Sequence, residues 1–135
     1  MYTYSELNNK IKLLGKTIDV PEKLLVGFGQ KNQYAQPYIE IKFPFYYLVV
    51  SEKGRELDRQ KFLNVDTLLY AVFEKITFEM ALHYEVIHRV PFQDCRRVLF
   101  SYQLNLMEKL SLKWKKQLQS KIIDILKCNP YQDDM

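Results

Sequence analysis

The sequence predicts an α+β fold, with a small three-stranded antiparallel β-meander, one helix before it and three helices after it. Three observations carry this. Between Tyr38 and Phe62 the chain alternates apolar with polar residues and is rich in aromatic and β-branched side chains, the pattern of half-buried strands. From Asp66 onward the apolar residues recur at three-and-four spacing, the helical period. The four Gly and five Pro fall mainly at the boundaries of these blocks.

Thr3 to Gly15 reads as the first helix. Thr3 and Glu6 fit a capping box, Leu7, Ile11 and Leu14 form its apolar stripe, and Gly15 is the expected stop. Residues 16–36 read as a loop, with one short turn around Pro21 to Leu25. Tyr38 to Lys42 reads as a half-buried strand and Phe45 to Val50 as a strand buried on nearly both faces, joined tightly at Phe43-Pro44. Ser51 to Gly54 is a turn, in which Gly54 supplies a positive φ. Arg55 to Phe62 is charged throughout, as suits an edge strand.

Leu68, Leu69, Val72, Phe73, Ile76, Met80, Ala81 and Tyr84 define a long helix, with Asp66 as N-cap and an end near Arg89 before Pro91. Asp94 is placed to cap a third helix through about Leu110. Its two apolar stripes, one of which holds Cys95, indicate packing between neighbours. Ser111 is placed to cap a fourth helix with Leu112, Leu118, Ile122, Ile125 and Leu126 inward, leaving Trp114 partly exposed, and Asn129-Pro130 ends it before a polar tail.

At 135 residues the chain is read as one domain, residues 1–135, long enough to build a core without staples. Two cysteines, Cys95 and Cys128, make no disulfide framework, and there is no Cys-x-x-Cys. The start has no signal-peptide core and the longest apolar run, Phe43 to Val50, is too short to span a bilayer. A cytoplasmic protein with free thiols and no membrane contact is expected. The net charge of +4 resides in residues 108–127, where Lys109, Lys113, Lys115, Lys116, Lys121 and Lys127 face only Glu108 and Asp124. A nucleic-acid binder using these lysines is one function class. No aromatic stacking set interleaves with them, so a solvated helix face is the preferred reading and no direct nucleic-acid contact is expected.

The stretch from Tyr84 to Arg97 concentrates the polar groups. His83 and His88 are five apart, so the zincin spacing is absent. Glu85-x-x-His88 lacks the second Glu-x-x-His and further glutamates of a di-iron site. A hydrolase built on Glu85, His88 and Asp94 is an alternative class, and a Cys95–His88 nucleophile pair is conceivable. No oxyanion hole is indicated nearby, and Cys95 is placed on an apolar stripe as a buried thiol. The preferred reading is a structural polar corner of Tyr84, Glu85, His88, Arg89, Asp94, Arg96 and Arg97, with Asp94 capping and the arginines meeting Glu85 across the turn. No catalytic residue, metal or cofactor is assigned. The meander aromatics Tyr34, Tyr38, Phe43, Phe45, Tyr46 and Tyr47 exceed what one face can bury, so some are expected at an interface.

The order of short segments is more telling than any one of them. Ile18-Asp19-Val20-Pro21, Phe28-Gly29 and Pro37-Tyr38-Ile39-Glu40 come first, then Val49 to Leu57, Leu68 to Phe73 and Thr77 to Ala81. Tyr84-Glu85, His88-Arg89, Asp94, Arg96-Arg97, Leu99-Phe100 and Gln103 follow. Over roughly residues 18–130 this resembles the immunity protein 63 family of bacterial polymorphic-toxin systems, with Cys95 standing where an aromatic such as Phe is expected. The resemblance implies a non-enzymatic antidote made in the cytoplasm. It would form a heterodimer with the C-terminal domain of a cognate toxin delivered by neighbouring cells, as in contact-dependent growth inhibition, and the toxin is first expected to be a nuclease. Against a basic nuclease the expected contacts are the aromatic and acidic residues Tyr38, Glu40, Tyr46, Glu52, Glu56 and Asp58. Against the lysines of residues 108–127 the toxin would need an acidic patch.

Overall fold

The computed structural model describes residues 1–29 and 36–134; Tyr34 and the polar stretch at 30–35 lie outside the described residues. The described elements run α1 (Tyr4–Thr17), a 3-10 turn (Glu22–Leu24), β1 (Gly27–Phe28), β2 (Tyr38–Lys42), β3 (Phe45–Glu52), β4 (Arg55–Phe62), α2 (Val65–Ile87), α3 (Cys95–Leu110) and α4 (Leu112–Cys128). The α+β class is as expected, but the sheet has four strands in the order β1-β2-β3-β4. The additional strand is β1, two residues pairing parallel with β2 through Gly27 opposite Tyr38 and Phe28 opposite Ile39. Two residues are too few to show an alternation, which is why the sequence reads them as loop.

The chain divides into two compact units, Met1–Phe73 and Glu74–Met135. In the first, the Thr3 hydroxyl accepts from the Glu6 amide and the Glu6 carboxylate from the Thr3 amide, each at 3.2 Å, completing the capping box. Gly15 does not stop this helix: α1 continues to Thr17, and the Gly15 carbonyl accepts from the amides of Ile18 and Val20. The reversal is made by Asp19, whose φ is 55°, a conformation Asp tolerates better than most residues. Buried Leu7 and Ile11 face inward. Two long-range bonds tie the start of the chain to the sheet. The Tyr2 amide donates to the Tyr46 hydroxyl at 2.7 Å, and the Ile41 amide donates to the Tyr4 hydroxyl at 2.9 Å.

β2 and β3 pair antiparallel, with Ile39 opposite Leu48 and both fully buried. β3 and β4 are joined at Lys53-Gly54, where both residues have positive φ. That is the turn geometry matching the twist of a two-residue hairpin. A bulge between Val50 and Ser51 shifts the β3–β4 register. β4 is exposed along nearly its whole length, as its charges predict. The N-cap of α2 is Asn64 rather than Asp66: the Asn64 side chain accepts from the Thr67 amide at 2.9 Å, and Asp66 falls in the first helical turn.

In the second unit α3 begins at its expected cap, with the Asp94 carboxylate accepting from the Arg96 amide. Ser111 caps α4 by accepting from the Trp114 amide. The buried side chains here include Ile76, Leu99, Leu106, Met107, Trp114, Leu118 and Ile122. Three expectations are corrected. Trp114 is buried at 4% exposure, in the same stripe as Leu118 and Ile122, while Leu112 is exposed. Cys95, at the first position of α3, is an exposed free thiol, as is Cys128. Buried Gln103 donates from its amide nitrogen to the Glu74 carbonyl at 3.1 Å and the Thr77 hydroxyl at 3.2 Å, so α3 is fixed to this part of α2.

Candidate functional site

The polar corner forms around the α2–α3 connection. Glu85 is buried, and its two oxygens receive the Nε and Nη2 of Arg89 at 3.1–3.3 Å. The four-residue spacing puts both side chains on one helical face, and the pair holds the Arg89 guanidinium further toward its charged form. Tyr84 is stacked between His88 and Tyr102, with ring centroids 4.0 and 3.9 Å away. The His88 Nδ1 lies 3.0 Å from the Tyr84 carbonyl oxygen.

Arg96 and Arg97 do not meet Glu85. Arg96 lies on Asp94, and its Nη1 and Nη2 donate to the carbonyls of Asn129 and Pro130, each at 2.9 Å. Arg97 grips Asp133, whose carboxylate also accepts from the Asp94 amide at 2.7 Å. The Tyr131 ring lies 4.1 Å from the Arg97 guanidinium carbon. The physical reason is reach: these two residues open α3, where the chain after Asn129 passes, and Glu85 is already filled by Arg89. The tail is therefore clamped. Tyr131 and Asp133 carry no local sequence signal for this, since both lie more than thirty residues from their partners.

The Arg96 guanidinium, with the amides of Gln132 and Arg96, holds the Asp94 carboxyl far below the usual carboxylate range. Glu85 accepts from Arg89, Asp94 accepts from the Arg96 guanidinium and from the amides of Arg96 and Gln132, and His88 is stacked and lies within hydrogen-bond distance of its own helix. The three groups of the hydrolase reading are thus each engaged in structural bonds. Among the described residues no cluster of three or more His, Cys, Asp or Glu could hold a metal ion, and no helix is long and apolar enough to cross a membrane.

The second place is the sheet. Of the residues expected at a contact, Tyr38 and Tyr46 are buried, at 3% exposure each. Tyr38 pairs with Val49 and Tyr46 with Ile41, so they point to opposite faces and neither face is wholly solvated. The reachable residues are Glu40, Glu52, Glu56 and Asp58, joined by the half-buried rings of Phe45 and Tyr47, two of the meander aromatics named above. Glu40, Tyr47 and Lys61 form one cross-strand row. Phe45 packs edge-on to Tyr47, the Lys61 ammonium lies 3.9 Å from the Phe45 centroid, and the Arg59 guanidinium lies 5.2 Å from that of Tyr47. Glu40 accepts from Lys42 at 2.8 Å and contacts Arg59 at 3.5 Å, while Arg59 also binds Glu56 at 2.8 Å. The Lys42 ammonium, assisted by Arg59, holds the Glu40 carboxyl below its ordinary value. The surface is therefore a mosaic of rings and paired charges, not an acidic patch. Phe43 at the β2–β3 turn is 86% exposed. In the lysine-rich segment, Lys115 pairs with Glu108 and Lys121 with Glu74, so part of that charge is already partnered.

Comparison with known protein families gives a match to the family described as Immunity protein 63 over residues 43–124, more than half of the chain. Searches of curated proteins and of solved structures gave no match.

Proposed function

The chain belongs to the immunity protein 63 family, and on that premise we propose that it neutralises a cognate toxin domain by binding it stoichiometrically. The family match over residues 43–124 is the observation that carries this reading. The engagement of Glu85 by Arg89 and of Asp94 by Arg96 supports binding without catalysis, and no cofactor is part of this reading. In this reading residues 1–135 act as one immunity domain in the cytoplasm. The partner is the C-terminal domain of a toxin delivered by a neighbouring cell, and a nuclease is the first class to assay.

The sheet surface fits a role in that contact. Tyr and Arg are enriched at the energetic centres of protein interfaces, and Tyr47 lies beside Arg59, with Phe45 and Lys61 adjacent. Glu40, Glu52, Glu56 and Asp58 would supply the paired and free carboxylates around them. Co-expression with the toxin domain encoded immediately upstream tests the proposal. A complex that copurifies in one-to-one ratio is expected; two proteins that elute separately would count decisively against it.

A further inference from the structure

The second unit contains an apolar cavity that the polar corner does not use. It lies between α2, α3 and α4, has a volume of about 230 Å³, and is lined by the apolar Phe78, Leu118 and Ile125 and by the polar Gln103, Glu74, Lys75 and Lys121. Small-molecule sites usually enclose ~300–1,000 Å³, so this one is sized for a single inserted side chain. Phe78 and Ile125 remain 40% and 37% exposed, which leaves an apolar lip open to a partner. The Gln103 amide nitrogen is committed to the Glu74 carbonyl and the Thr77 hydroxyl, so its carbonyl oxygen is the atom left to accept from an occupant. Lys121 is held by Glu74 at 2.9 Å. Lys75 forms no ion pair among the described residues, and α4 lies in the segment that carries the chain's +4.

Resting on the toxin-binding reading above, we propose that this cavity is an anchor site for the cognate toxin domain. It would receive one aromatic side chain bearing a donor, Tyr or Trp, set among Asp and Glu residues of the toxin. The apolar walls take the ring, Gln103 takes its N–H or O–H, and Lys75 meets the carboxylates.

The test measures binding kinetics of the purified chain with the upstream-encoded toxin domain. The Phe78→Ala, Ile125→Ala double variant is expected to bind roughly 30-fold or more weakly, the loss typical of a truncated interface anchor. Lys75→Glu is expected to slow association about tenfold at low salt with little change in dissociation. A double variant that keeps its circular dichroism and binds like the parent overturns the cavity inference while leaving toxin binding intact. If the double variant is misfolded, Lys75→Glu decides, and an unchanged association rate overturns the inference. Absence of binding by the parent chain overturns the toxin-binding reading, and the anchor site with it.

Discussion

Arg97 and Asp133, thirty-six positions apart, are joined by two guanidinium–carboxylate bonds, Nε to Oδ1 at 3.0 Å and Nη2 to Oδ2 at 2.9 Å. Paired donors fix orientation as well as distance, so this contact sets where the C-terminal segment lies. Asp133→Ala should loosen it at that end, the Arg96 bonds to Asn129 and Pro130 remaining, and because the Asp94 amide donates to Asp133, exchange of that amide should accelerate by about tenfold or more, as for a locally opened segment. The pH dependence follows from the direction of the shifts. Asp94 and Asp133 both lie below their ordinary value of 3.8, Asp94 chiefly through Arg96 and Asp133 chiefly through Arg97. Their contribution is therefore complete above that value and is lost only as pH falls through the lower folded values. The protection should survive mild acid and vanish in strong acid; its loss between neutrality and pH 3.8 would contradict the clamp.

Trp114, the one Trp of the chain, is 4% exposed. Its fluorescence should be blue-shifted in the native state and move red in a single step on unfolding. Trp114→Ala should cost about 3–5 kcal/mol, the usual range for an emptied aromatic core site. A native emission already at the solvent wavelength would show that α4 is rotated from its described phase.

Some of this was readable from residues and some was not. Asp94 and Ser111 were recognisable as caps because a cap is a local event, one side chain meeting an amide two or three positions on. The sequence leaves Trp114 partly exposed because a fourth-helix stripe that starts at Leu112 passes it by. Drawn from Trp114 through Leu118 and Ile122, it holds the residues that are buried. Of the six residues expected at a contact, Tyr38 and Tyr46 are buried, for another reason. Period-two alternation says which residues share a face, not whether a face is covered. Arg96 and Arg97 stand out in the sequence as charges, but their partners lie in a tail with no pattern of its own.

Ser51 is fully buried at the β3 bulge, and its hydroxyl has no hydrogen-bond partner among the described residues. An unpartnered buried hydroxyl costs desolvation without return. Ser51→Ala should therefore leave stability within about 1 kcal/mol of the parent, on the stabilising side. A larger loss in urea unfolding would mean that the hydroxyl is bonded after all.

Asn64 accepts from the Thr67 amide and its carbonyl from the Thr67 hydroxyl. Asn64→Ala should lower the stability of the chain by about 1 kcal/mol, while Asn64→Asp, which keeps the acceptor, should lose far less. Equal losses in the two variants would mean that the cap is not what starts α2.

Growth rescue tests the central claim most directly. Cells expressing the toxin domain encoded upstream should stop growing, and cells expressing it together with this chain should grow as if no toxin were present, with an unrelated immunity protein giving no rescue. Continued growth arrest in cells that contain the folded chain in excess over the toxin would contradict neutralisation by binding.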